Sequence, residues 1–345
     1  MADNYSYEGG IEDMPKKLSA SLLNLVPVRE GHDVNDAIAD MIDLAKHVDG
    51  SGYTRYWVAE HHNTTSIASS ATRQLIHHIL HHTESLRVGS GGVMLPNHSP
   101  LIVAEEFGTM QAIFGDRLDI GLGRAPGTDM RTAAAIRRNN HDGVYTFASE
   151  VEEIRDLLSD RETQVVAFPG NGTNIPLYIL GSSTDSAHIA AQLGLPYAFA
   201  AHFAPGQMED AFKIYESEFE PSDQLSEPYK IACLNVICAD TDEAAKYLST
   251  TLSQFVLNVI RGGRKKLQPP VDDMEPLWSP YEKQAVESRF PVAMLGAHDT
   301  VLEKLRLFQI QFNVDEIMAV SYIFDKDAQK RSYDIFEEVV SKYNG

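Results

Sequence analysis

The chain has 345 residues, 43% of them hydrophobic and 23% charged, a globular composition with enough length to bury a sizeable core. Its 29 Lys and Arg residues are outnumbered by 49 Asp and Glu, and a formal net charge of −20 argues against DNA, RNA or an anionic membrane as partner. No apolar run reaches the roughly 18 residues a membrane span needs, and residues 1–17 lack the basic start and apolar middle of a signal peptide, so the cytoplasm is the expected compartment.

Behind a polar arm, residues 1–16, strand-like and helix-like stretches alternate. A strand is expected over 18–26 and a helix over 33–49, with Asp33 as N-cap and Gly50 and Gly52 at its end. Strands over 53–59 and 86–95 bracket a helix over 66–83, and a helix over 100–114 begins with Pro100 in its first turn. A short buried strand covers 118–123. Residues 126–143 read as a long loop, 144–159 as a Glu-rich helix and 164–174 as a hairpin. Strands follow over 177–180, 197–200, 230–239 and 316–319, with helices over 185–193, 205–219, 241–261, 300–308 and 327–343. Residues 261–291 hold five prolines and read as irregular. Eight strand–helix units without a composition break imply a parallel sheet buried on both faces, and so many in one chain favour a closed (β/α)₈ TIM barrel with insertions over an open sheet. Cys233 and Cys238 lie five apart in one strand, which puts them on opposite faces and excludes a disulfide between them.

The active site of such a barrel lies at the C-terminal strand ends. The second strand ends in Glu60-His61-His62-Asn63. These histidines could be acid–base groups, a hydrogen-bonded structural pair or metal ligands, although HExxH is absent. On the following helix, His77, His78, His81 and His82 have i,i+4 spacing but lie mid-helix, which suits a solvated or subunit-contact face better than a metal. Gly89, Gly91 and Gly92 interrupt the third strand, where glycine signals a bulge or close approach of a ligand. Arg124 leaves the fourth strand among Gly121, Gly123 and Gly127, well placed to grip a phosphate or to make a surface ion pair. After the fifth strand, Ser182, Ser183, Thr184 and Ser186 start a helix, a pattern that fits either an anion site or simple N-capping.

Three motifs stand in order at strand ends: WVAEHH (57–62), GGVMLPNHSPLIVAEEFGTMQAIFGDRLDIGLGRAPG (91–127) and LYILGSSTDSAHIAAQLGLP (177–196). Together they resemble the bacterial luciferase-like, flavin-dependent oxidoreductases, and best those of unassigned substrate. The resemblance implies one luciferase-like barrel domain over 1–345 that binds FMN. A non-prolyl cis peptide under the flavin ring falls on Gly91–Gly92. The phosphate-gripping Arg falls on Arg124, with Pro126 beside it, and the hydroxyls completing that site fall on Ser182, Ser183 and Ser186. The luciferases carry Glu where Ser182 stands, so that contact differs here. His61 matches the histidine implicated in acid–base chemistry near the flavin, and His62 matches its neighbour. No resident metal is expected. The implied reaction is monooxygenation of a small organic molecule with reduced FMN and O₂, in a homodimer served by a flavin reductase; a flavin-dependent dehydrogenase or a non-catalytic flavin-binding protein are the alternatives. Residues 261–295 match the luciferases poorly and are expected to lie over the mouth as a lid.

Overall fold

A computed structural model describes residues 17–125, 127–136 and 145–345; the polar arm 1–16 and Pro126 lie outside the described residues. The elements in chain order are β1 (Ser19–Asn24), α1 (Val34–Val48), β2 (Tyr53–Val58), α2 (Thr72–His82), β3 (Arg87–Met94), α3 (Pro100–Phe114), β4 (Leu118–Gly123), α4 (Met130–Ile136) and α5 (Phe147–Leu158). They continue with β5 (Leu177–Gly181), α6 (Thr184–Leu193), β6 (Tyr197–Phe199), α7 (Met208–Glu218), β7 (Lys230–Cys238), α8 (Asp242–Ile260), α9 (Pro280–Glu287), β8 (Met294–Gly296), α10 (His298–Phe312), β9 (Glu316–Val320) and α11 (Lys326–Asn344).

Strands β1 to β7 pair in sequence, and β9 joins β7 back to β1, closing an eight-stranded parallel barrel. This is the expected (β/α)₈ architecture. Strand β8 stands outside that ring. It pairs only with Val236–Cys238, the part of β7 that runs on beyond β7's pairing with β6 and β9.

Alternation along each strand divides the core in two. In β2, Tyr56 and Val58 pack outward against the helices, whereas Trp57 and the following Ala59 join the apolar cluster inside the barrel. The two cysteines obey the same rule: Cys233 faces inward, Cys238 outward, and both are free thiols. Helix starts follow local chemistry. Asp33 caps α1 in a full capping box with Asp36, and Thr241 and Asp325 cap α8 and α11.

The N-terminal end of the barrel is plugged by charge. Arg55 pairs with Asp119 and Glu316 at 2.9 Å each, Trp57 Nε1 donates to Asp119, and the Tyr229 hydroxyl donates to the second oxygen of Glu316 at 2.8 Å. This network fills the N-terminal end of the barrel interior among the described residues.

Several expected boundaries move. The segment before α2 is extended, because Ile67 bridges Pro27 and Ala68 donates to the Val26 carbonyl; the helix starts at Thr72, not at residue 66. The expected hairpin over 164–174 has no strand: a turn with a cis Phe168–Pro169 bond places Gly170 against α3, where a Cβ on Gly108 would overlap its backbone. Within the expected loop over 126–143, Asp129 accepts from the Arg131 and Thr132 backbone N–H groups and starts α4. Within the irregular 261–291, a Ser279–Glu282 capping box starts α9.

Candidate active site

A cavity of ≈ 250 Å³ opens at the C-terminal strand ends, and it gathers His61, Gly91, Arg124, Ser182, Ser183 and Ser186 from four different strand ends. At one side, Arg124 leaves β4 and meets the start of α6. Its Nη2 donates to Asp185 Oδ2 at 2.8 Å, and this hydrogen bond and charge hold the Asp185 carboxyl below its ordinary range. A carboxylate thus already occupies the cationic position at the helix N-terminus.

The three serines divide their work. Ser186 Oγ donates to the Ser183 carbonyl at 2.8 Å and lies 2.9 Å from the Tyr197 hydroxyl, so this buried side chain builds the turn. A Cβ on Gly181 would overlap Ser186 Oγ, which is why glycine stands there. Ser183 is the N-cap of α6, yet its side chain caps nothing. With Ser182 it borders the cavity.

The peptide bond between Gly91 and Gly92 is cis, and pairing with β4 slips by a residue between Gly91 and Val93. The two glycines are not equivalent. Gly91 lines the cavity, and a Cβ there would stand 2.5 Å from Leu23 Cδ1 and 3.1 Å from Trp57 Cβ. A Cβ on Gly92 would instead press on the Gly121 carbonyl oxygen at 2.8 Å, against the neighbouring strand.

Beyond Gly91 the first cavity meets a second of ≈ 440 Å³. The residues shared by both are Leu25, His61, His202 and Phe203. Burial lowers the His61 pKa, against the opposing effect of a hydrogen bond to the Gly127 carbonyl, so the ring is neutral at pH 7. His62 borders only the second cavity and bonds Glu60 at 2.8 Å.

Glu60 itself is only 2% exposed. Burial would raise its pKa, but His98, His62 and the Met94 N–H all bond the carboxylate and hold it below its ordinary value. It ties the segment after β2 to the segment after β3. Glu60, His98 and His202 were not singled out from the sequence. His202 is the most informative of them: burial lowers its pKa to about 3, and its Nδ1 is shielded without a hydrogen-bond partner.

The His77–His82 face of α2 is largely exposed, with His77 packed edge-on against Phe114. Among the described residues, no group of three His, Cys, Asp or Glu side chains is arranged to hold a metal ion. No described helix is long and apolar enough to cross a membrane.

Residues 19–309 match the family model described as luciferase-like monooxygenase. The chain belongs to that family. A luciferase-like monooxygenase of Escherichia coli strain K12 is 42% identical over 332 residues, covering 96% of this chain and 99% of the relative. The crystal structure of apo-MsnO8 superposes with a TM-score of 0.84 at 31% identity, covering 94% of this chain and 98% of that one. The oxygenating constituent of 3,6-diketocamphane monooxygenase, solved with FMN, has a TM-score of 0.70 over 94% of this chain and 98% of its own; at 16% identity that likeness concerns the fold alone. For this family member, the cavity at the strand ends is the candidate site of a flavin-type cofactor.

Proposed function

We propose that the protein is an FMN-dependent monooxygenase that uses reduced FMN and O₂ on a small organic substrate, the flavin lying in the first cavity and the substrate in the second. The observation that carries this reading is the order of groups along one cavity. A guanidinium and a helix N-terminus with two cavity-facing serines stand at one end, a side-chain-free stretch of β3 in the middle, and a neutral imidazole at the junction with a second cavity. Gly91 contributes backbone alone to the cavity lining, the surface expected against a flat ring.

Bound and reduced, the flavin would supply the oxygen-activating chemistry. The chain's own residues bind and orient it. Arg124 and the Ser182 and Ser183 hydroxyls would hold the phosphate, with Arg124 leaving Asp185 to do so. Leu23, Trp57 and Leu180 supply apolar walls that keep water off the ring. His61, neutral at pH 7, can take up a proton at the junction and return it. His62 is held by Glu60 and acts as a positioning residue.

Exposed Ile102 and Ile113 on α3, beside the histidine face of α2, support pairing of two copies through these helices, and a separate flavin reductase would supply the reduced cofactor. The decisive experiment titrates purified protein with FMN by visible absorbance and then measures O₂ uptake with supplied reduced FMN. Saturable binding with O₂ uptake coupled to an organic substrate supports the reading. Binding without coupled uptake leaves a dehydrogenase or a flavin-binding protein, and no FMN binding overturns it.

A further inference from the structure

The second cavity has a chemistry of its own. Part of the lining is apolar: Leu252, Phe255 and Val256 from α8, with Ile67 and Tyr322, the Phe255 and Tyr322 rings stacking on each other at 4.5 Å. Its charged lining is two arginines, Arg264 and Arg289, against one aspartate, Asp129. Asp129 is already satisfied: Asn63 Nδ2 donates to it at 2.8 Å, and Thr132 and the start of α4 take its remaining capacity. Arg264 stands only 3.9 Å from Asp129, too far for a hydrogen bond. Arg289 forms no ion pair among the described residues and donates only to the Phe203 carbonyl at 2.8 Å, next to the junction of the two cavities. The three histidines on the lining are His61, which burial keeps neutral, His202, which it holds far below its ordinary range, and His62, which is tied to Glu60. Both arginines are exposed, with no carboxylate at hydrogen-bond distance among the described residues; in a chain of net charge −20, a cavity whose rim carries two such guanidiniums against one carboxylate is a local reversal of sign.

We infer that the second cavity takes an organic anion with an apolar body. The body packs on the Leu252–Phe255–Val256 wall, and the anionic group is met by Arg289 and Arg264. The planar fork of a guanidinium that has no carboxylate at hydrogen-bond distance matches a planar carboxylate. The inference rests on the reading that the second cavity is the substrate side of a flavin enzyme, and it names the class of molecule that enters.

The probes are 2-naphthoate and its neutral counterpart 2-naphthylmethanol, titrated calorimetrically into the full chain without flavin. The expected result is that 2-naphthoate binds the wild type more tightly than the alcohol. Arg289→Ala should weaken 2-naphthoate about 10-fold and the alcohol less than about twofold, and Arg289→Lys, which keeps the charge, should recover part of the loss. Arg264→Gln should act in the same direction. Equal binding of the two probes, absence of 2-naphthoate binding, or loss of 2-naphthoate in Arg124→Ala instead of Arg289→Ala would overturn the inference. FMN titrated into the same proteins separates the two readings. FMN binding without an Arg289 effect sinks this inference alone, and an Arg289 effect without FMN binding sinks the flavin assignment alone.

Discussion

Arg124→Ala tests the cofactor site at its most charged point. A hydrogen bond to an ionised group contributes about 1.5–3 kcal/mol, but two features of the site reduce that figure. The Arg124 side chain is 27% exposed, so solvent screens it, and it must first give up Asp185, a partner 65% exposed at 2.8 Å. Exposed pairs of this kind contribute about 0–1 kcal/mol. The net loss for FMN is then about 1–2 kcal/mol, or about 5- to 30-fold in Kd. Asp185→Asn should act in the opposite sense, tightening FMN a few-fold, because it removes both the competitor for Arg124 and a like charge beside the phosphate. Fluorescence titration with FMN and with riboflavin reads both variants. Riboflavin lacks the phosphate and should bind wild type and both variants alike. An equal loss for FMN and riboflavin in Arg124→Ala, or tighter riboflavin binding in Asp185→Asn, would refute the phosphate assignment.

Gly91→Ala sets a methyl group 2.5 Å from Leu23 Cδ1 and 3.1 Å from Trp57 Cβ and so displaces two walls of the cavity; the overpacking, about 1–3 kcal/mol, should weaken FMN and riboflavin together by about 5- to 150-fold, and unchanged binding would remove Gly91 from the flavin floor. Glu316→Leu strips a fully buried carboxylate from Arg55 and the Tyr229 hydroxyl and should cost about 3–5 kcal/mol in urea unfolding; a loss below about 1 kcal/mol would show that the network relaxes around the gap. The folded chain keeps His202 unprotonated down to about pH 3, whereas an unfolded histidine protonates near 6.5. Acidification below 6.5 therefore favours unfolding through this group, with a slope of up to about 1.4 kcal/mol per pH unit. His202→Asn should flatten the fall in urea midpoint between pH 7 and pH 5, and an unchanged slope would show that His202 is not kept neutral.

All eight barrel strands were legible in the sequence, because short, largely apolar stretches bounded by turn residues recur between the helix-like segments. Strand β8 was not, since three residues carry no period and it exists only by pairing with the extension of β7. Helix α9 left a readable Ser279-Pro280-Tyr281-Glu282 signature that the surrounding prolines obscured. The expected start of α2 at residue 66 was too early, because the stretch before Thr72 pairs with the chain after β1. At the site, Arg124, Gly91, His61 and the serines stood out because glycine, arginine and clustered hydroxyls at strand ends are unusual in themselves. Glu60 did not, because a glutamate beside histidines looks like surface until His98, far along the chain, is found against it. Nor did His202, whose significance lies in which cavities it borders. The commitment of Ser186 to Tyr197, and of Arg124 to Asp185, likewise depends on partners that spacing does not reveal.

The segment between α8 and β8 departs from the barrel after β7 and α8 and comes back onto β7 itself, through Met294–Gly296. Closure of the eight-stranded ring depends on β9 meeting β1 and β7, and no bond of that seam involves the segment's return. The stretch that supplies Gly263, Arg264 and Arg289 to the second cavity is therefore held at two places outside the ring's own seam, on the end of β7 and, through Leu267, on the chain after β1. Between Leu267 and Met294 it can lengthen, shorten or change composition without touching a bond that closes the ring. Such an arrangement lets one oxidative scaffold acquire new clients by exchange of a cassette, and grafting this stretch between family members is the direct way to move selectivity from one to another.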